Sequence, residues 1–307
     1  MNSAPRVTAY IVGEALIDAV QTQSGDAEEF PGGSPANVAL TLGRLGHDVA
    51  LHTWLGQDAR GTAIVDWLAQ SHVALTAGSQ DARKTPVAEA HIQEDGSARY
   101  VFDLEWDLHG VDEAWRNADV VHTGSIGAVL EPGGSKVRKL LSSAKPSATI
   151  TYDPNARPML MGSPEYARSI VESYVELADV VKVSDEDLEW LYPGQDIYEV
   201  AREWQSRGPA LVVVTRGGSG AIGYAECGAV EISAPRVTVA DTVGAGDSFM
   251  GALIHGLAQH DCLGKDGRDR LHSLDRSTLE TVLNQCARVA AVTVSRPGAN
   301  PPWLAEI

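Results

Sequence analysis

Cysteine is scarce in this chain: three residues, Cys227, Cys262 and Cys286, in 307, with no paired spacing. A disulfide framework is thereby excluded, and the thiols are expected to be reduced, in a reducing compartment. No two cysteines or histidines stand at metal-ligand spacing, which leaves a zinc site without support. Positive charge is short as well. Lysine and arginine number 24 against 41 aspartates and glutamates, a formal net charge of -17. That balance argues against nucleic acid and anionic membranes as partners, and it requires any phosphate to be held by local groups and metal ions. No apolar run approaches membrane-spanning length. Met1 to Arg6 is a short polar lead into Val7–Val12, and Glu14 and Asp18 follow too soon for a signal-peptide core, so a cytoplasmic location is expected. A G-x-x-x-x-G-K-[ST] loop is missing, which excludes P-loop kinases. Repeats, low-complexity tracts and interdomain linkers are missing too, so residues 1–307 read as one domain.

What is present suits a folded α/β protein. Short apolar runs alternate with amphipathic stretches, the pattern of a mainly parallel sheet covered by helices. Strands are expected at Val7–Val12, Val49–Trp54, Val120–His122, Thr149–Tyr152, Val180–Lys182, Leu211–Thr215 and Ala221–Ala225. Helices are expected at Pro35–Leu45, Thr62–Gln70, Gly134–Ser143, Glu165–Leu177, Asp185–Leu191, Ile197–Gln205, Ala245–Gln259 and Thr278–Val294. In the first of these Ser34 suits the N-cap, Pro35 the first turn and Gly46 the stop. Leu16–Pro31 and Val87–Asp107 break the rhythm. They read as short strands of mixed polarity, with turns at Ser24–Asp26 and Glu94–Ser97, added as a small sheet to one edge of the domain.

The most informative stretch is Asp241-Thr242-Val243-Gly244-Ala245-Gly246-Asp247, which runs into the apolar helix-forming segment Ser248–Leu257. A glycine turn opening a helix gathers backbone N–H groups and a positive dipole end at one point, an anion site. A carboxylate at its mouth is useful where a proton must be removed beside that anion, as in phosphoryl transfer to a hydroxyl. The motif resembles the C-terminal signature of the ribokinase-like, or phosphofructokinase-B, sugar kinases. Gly32-Gly33-Ser34-Pro35-Ala36-Asn37-Val38-Ala39 resembles their N-terminal signature, roughly 200 residues upstream.

The resemblance spans nearly the whole chain. It implies a three-layer α/β/α domain with a β lid that closes over the sugar and often meets a second subunit, giving a homodimer. It implies Asp247 as catalytic base and the amides of Gly244, Ala245 and Gly246 as the anion hole. Asp18, Gly32, Gly33 and Asn37 would contact substrate, joined by Arg99 or Arg157. ATP would be met by Lys182, Ser184, Thr215, Gly217, Gly220 and Asn284. Asp187, in place of the family glutamate, would belong to the Mg2+ environment, with Asp153 or Asn155 organising its waters. Asp241 and Val243 mark where relatives bind a monovalent cation, K+. Local readings compete at several of these positions. Asp247 would also serve as a helix cap, Ser184 and Asp187 as a helix N-terminus, and Arg157 as a surface ion-pair residue.

A dinucleotide reading of Gly218-Ser219-Gly220-Ala221-Ile222-Gly223 fails because a strand, not a helix, follows. Gly-Glu-Ala-Leu-Ile-Asp, Lys-Val-Ser-Asp and Asp-Pro-Asn-x-Arg look most like fructokinases. The alternatives are 2-keto-3-deoxygluconate kinase, ribokinase, a nucleoside kinase with Trp106 stacked on the base, and a catalytically silent sugar sensor. The acidic lid stretch 99–107 disfavours an anionic substrate. The nine histidines, scattered in sequence, read as surface or core fillers.

Overall fold

The computed structural model describes residues 5–21, 27–92, 98–111 and 113–307. Its strands are β1 Thr8–Val12, β2 Leu16–Gln21, β3 Ala27–Gly32, β4 Asp48–His52, β5 Val73–Leu75, β6 Val87–Ile92, β7 Ala98–Asp103, β8 Val120–Gly124, β9 Thr149–Asp153, β10 Val180–Ser184, β11 Leu211–Thr215, β12 Ala221–Ala225 and β13 Gly228–Ile232. The α-helices are α1 Ser34–Arg44, α2 Ala59–Ala69, α3 Ser125–Val129, α4 Gly133–Ala144, α5 Pro158–Met161, α6 Pro164–Val175, α7 Asp185–Leu191, α8 Ile197–Ser206, α9 Ala245–Gln259, α10 Gly264–His272 and α11 Arg276–Val294.

Among the described residues the main sheet has nine strands in the order β13-β12-β11-β10-β9-β8-β1-β4-β5. From β5 to β11 every pairing is parallel, and β12 and β13 close the edge antiparallel. The central parallel strands β8, β9 and β10 are buried along nearly their whole length because both faces are covered. Along β1, Ile11 faces the core formed with α1, α9 and α11 (Leu42, Met250, Leu253, Val282). Its neighbours Tyr10 and Val12 face the opposite core, with Val137 and Leu141 of α4, Val171 of α6 and Trp204 of α8. A second, four-stranded sheet has the order β3-β2-β6-β7, with β2 and β6 parallel and the outer pairings antiparallel. The turns expected at Ser24–Asp26 and Glu94–Ser97 lie outside the described residues.

Because β1, β8, β9, β10 and β11 run in the same direction, their C-terminal ends share one edge of the sheet. This is where an open α/β sheet leaves room for a ligand. Helix α9 lies buried between α1 and α11. A Cβ on Gly251 would stand 2.7 Å from the Thr41 Cβ, so glycine is what lets α1 and α9 meet this closely. That approach carries the start of α1 to the start of α9.

Two local expectations are corrected. Ser34 is the first residue of α1, not its cap. Gly33, at φ 108°, holds the N-cap position with no side-chain cap bond, and the Ser34 hydroxyl is engaged elsewhere. Trp106 is buried. Its Nε1 donates to Gly127 O at 2.9 Å and its ring lies against Gly133, so it has no free face for a nucleobase. The short helices α3 and α5, the polar helix α10 and the strands β5 and β13 are additions to the elements expected from sequence.

Candidate active site

Asp247, in the first turn of α9, is 6% exposed and is held from two sides. Ser34 Oγ donates to its Oδ1 at 2.7 Å, and Asn37 Nδ2 donates to its Oδ2 at 2.8 Å. Asn155 Nδ2, from the loop after β9, also donates to Oδ1, at 3.3 Å. Gly244 caps α9 at φ 75°, a left-handed conformation that glycine adopts without penalty. Of the three amides expected to form the anion hole, that of Ala245 donates to Thr242 O at 3.3 Å. Those of Gly244 and Gly246 have no hydrogen bond among the described residues and stand at the positive end of the helix.

Beneath this turn lies a buried charge cluster. Lys182 Nζ on β10 pairs with Asp153 Oδ2 at the end of β9, 2.9 Å apart; the residues are 3% and 0% exposed. A Cβ on Gly246 would lie 2.9 Å from that ammonium, so the lysine sits directly under the glycine turn. Burial pushes the Asp153 carboxyl up to about 7 against the pull of Lys182, and the charges of Asp187 and Asp247 push the same way. Burial alone would lower Lys182, but Asp153, Asp187 and Asp247 together hold it above its ordinary value. One cation therefore serves three carboxylates.

Asp187 begins α7 in a reciprocal capping box. Its N–H donates to Ser184 Oγ at 3.0 Å and its Oδ2 accepts from Ser184 N at 3.3 Å, while Oδ1 accepts from Ala156 N at 2.8 Å. The helix-terminus reading of Ser184 and Asp187 is thus realised.

On the side of the second sheet, Asp18 of β2 is raised to about 6 by burial. The Arg157 charge opposes this shift and the Asp247 charge adds to it. Gly32 faces Asp18 so closely that any Cβ would collide with Oδ2. A Cβ on Gly33 would stand 2.6 Å from Glu14 O. Arg157 folds back on its own loop, donating from Nη1 to Asn155 Oδ1 at 2.7 Å and to the carbonyls of Asn155 and Ala156. Asn155, at φ 36°, therefore links Arg157 to Asp247. Glu14, beyond the end of β1, was not singled out from sequence. It is buried, accepts from Gly127 N at 2.8 Å, and burial raises it to about 7. Arg99 stands on β7 opposite His91; its side chain is outside what the structure describes.

Toward the β11 edge, Ser184 and Thr215 are register partners at the ends of β10 and β11. Gly217 and Gly220 form the turn into β12 with φ of 48° and 104°. Asn284 lies along α11 and donates to Glu280 O of its own helix; among the described residues no hydrogen bond ties it to the charge cluster. Asp241 Oδ1 accepts from Val243 N at 3.0 Å and Oδ2 from Gly298 N at 2.8 Å, tying the loop before α9 to the turn after α11. The Val243 side chain is 51% exposed. Among the described residues no three His, Cys, Asp or Glu side chains form a metal-binding group, and no helix is long and apolar enough to cross a membrane.

A buried carboxylate at a glycine-capped helix start, above a buried lysine at the carboxyl edge of a parallel sheet, defines a phosphotransferase-like site. The chain belongs to the pfkB family of carbohydrate kinases, whose model matches residues 8–306. It is similar to a fructokinase of Rhizobium leguminosarum bv. trifolii, 31% identical over 87% of this chain and 84% of that protein. It is also similar to the probable fructokinase-4 of Arabidopsis thaliana, 34% identical over 96% and 93% of the two chains. The crystal structure of the Xylella fastidiosa fructokinase with bound ATP superposes with a TM-score of 0.84 at 28% identity, over 97% of this chain and 96% of that one. The protein is a fructokinase-like carbohydrate kinase, with the three-layer fold and small second sheet of that group.

Proposed function

We propose that this chain is an ATP-dependent fructokinase in which Asp247 is the general base. The observation that carries the reading is the placement of the Asp247 carboxylate beside the free amides of Gly244 and Gly246 at the start of α9. Asp247 takes the proton of the attacking sugar hydroxyl while the glycine-turn amides and Lys182 stabilise charge on the transferred phosphoryl group. Asp18, Gly32, Gly33 and Asn37 form the sugar side, the β2/β3/β6/β7 sheet acts as its lid, and Thr215, Gly217 and Gly220 lie along the nucleotide. Fructose is favoured because the Rhizobium, Arabidopsis and Xylella proteins named above are fructokinases or a probable fructokinase. A keto-deoxy acid is disfavoured, since Arg157 is already committed to Asn155 and faces Asp18.

The residues fit magnesium carried on ATP rather than a resident ion. Three carboxylates against one ammonium leave the cluster formally negative, which repels bare triphosphate and attracts a divalent cation. Asp153 keeps an oxygen, Oδ1, without a hydrogen-bond partner. Asp153 and Asp187 would hold the ion, which would neutralise charge on the triphosphate. Each oxygen of Asp241 accepts one backbone N–H, and a K+ ion near Asp241 and Val243 would be held mainly by carbonyl oxygens.

The test is sugar-stimulated ADP formation with Mg-ATP across fructose, ribose, 2-keto-3-deoxygluconate, adenosine and fructose 6-phosphate. Stimulation by fructose alone is expected. Stimulation by another member of the panel moves the specificity, and silence across it removes the fructokinase reading.

A further inference from the structure

We infer that Ser34 is a positioning residue of the phosphoryl transfer: with Asn155 it occupies Oδ1 of Asp247 and leaves Oδ2 to receive the proton of the reacting hydroxyl. The inference rests on the assignment of Asp247 as base. A carboxylate offers about four lone-pair positions, two on each oxygen. At Asp247 both positions of Oδ1 are met, by Ser34 Oγ at 2.7 Å and by Asn155 Nδ2 at 3.3 Å. Oδ2 accepts from Asn37 Nδ2 alone among the described residues. The proton accepted from the sugar hydroxyl therefore goes to the second lone pair of Oδ2, the one that Asn37 does not occupy.

Ser34 is buried and stands at a position where a serine ordinarily has a different task. At a helix start its hydroxyl would cap free backbone N–H groups. Here Gly33 takes the cap position and caps nothing with a side chain, so the Ser34 hydroxyl is free to reach a carboxylate 213 residues away in sequence. The serine therefore aims the carboxylate, holding Oδ1 so that Oδ2 is left to the reacting hydroxyl. The charged groups facing Asp247 are Lys182 on β10, Asp153 on β9 and Asp18 on β2, and all three are unchanged when Ser34 is replaced.

The experiment measures kcat and KM for the acceptor sugar, with Mg-ATP, in the native enzyme and in Ser34→Ala and Ser34→Thr. In Ser34→Ala kcat is expected to fall about tenfold, with KM for sugar and nucleotide within about twofold. Ser34→Thr, which keeps the hydroxyl, is expected to restore most of the native kcat. Ser34→Cys, nearly isosteric but a much weaker donor, carries the same test if alanine unsettles the start of α1. A kcat within about twofold of native in both Ser34→Ala and Ser34→Cys, or a loss that appears in KM rather than in kcat, overturns the inference. Failure of the underlying assignment looks different: Asp247→Asn would then keep its turnover.

Discussion

Replacing Lys182 by methionine isolates the cost of the buried cluster, because it removes the one cation and leaves Asp153 fully enclosed. Asp153 is already raised to about 7 in the native protein, well above its unfolded value near 4. Without Lys182 it rises further. At any pH between the native and the variant value, the variant's folded state holds one proton that the native protein's folded state does not. Both unfolded chains have lost it. The sign follows directly: the variant binds more protons folded than unfolded, so its stability falls as pH rises. Relative to the native protein the gap should widen by about 1.4 kcal/mol for each pH unit above 7. It should level off near the 3–5 kcal/mol, roughly, that breaking a buried ion pair costs. In a chain of this size that is about 2 °C of melting temperature per pH unit. Urea denaturation of both proteins at pH 6.5, 7.5 and 8.5 measures the gap. The double variant Lys182→Met/Asp153→Asn removes the stranded carboxylate and should close most of it without restoring activity. A gap of constant size across the three pH values would refute this account of the cluster.

Two further outcomes follow from the same geometry. His47 Nε2 and His255 Nδ1 lie 2.8 Å apart in the core, and burial lowers each ring to about 4, so both fold neutral. The unfolded chain takes up protons on both from about pH 6.5 downward, hence stability should fall as pH drops from there toward 4. His255→Asn should flatten the slope between pH 6.5 and 4.5; an unchanged slope in chemical denaturation would assign the acid sensitivity to other groups. Gly32→Ala should raise the KM for sugar at least tenfold, an order-of-magnitude figure, because the new methyl group displaces Asp18 Oδ2. ATP binding by calorimetry should be unaffected, and an unchanged sugar KM would remove Asp18 from the sugar side.

The sequence shows the larger elements most clearly, where burial and local chemistry agree. Helix α9 and strands β11 and β12 fall where expected because apolar runs end at glycine turns. The short helices α3 and α5 carry too few residues for a period, and α10 is too polar to advertise a buried face. Gly244–Asp247, Asn37 and Lys182 were legible as a group only because two signatures stand in the expected order. What the signatures do not carry is the set of contacts across the chain. Ser34 reads as a cap until α9 brings Asp247 to it, and His47 and His255 read as unrelated fillers until the core joins them. Trp106 reads as a ligand platform because sequence records its ring but not the glycine it covers. Glu14 gives no sign of its burial.

The assignment of Asp247 as base is tested most directly by Asp247→Asn, which keeps the size of the side chain and an oxygen for Ser34 while removing the proton acceptor. ADP formation with fructose and Mg-ATP should fall by about 10²- to 10⁴-fold, while calorimetry finds fructose and nucleotide bound nearly as in the native enzyme. Turnover within a few-fold of native would contradict the account and send the search for the base elsewhere in the site.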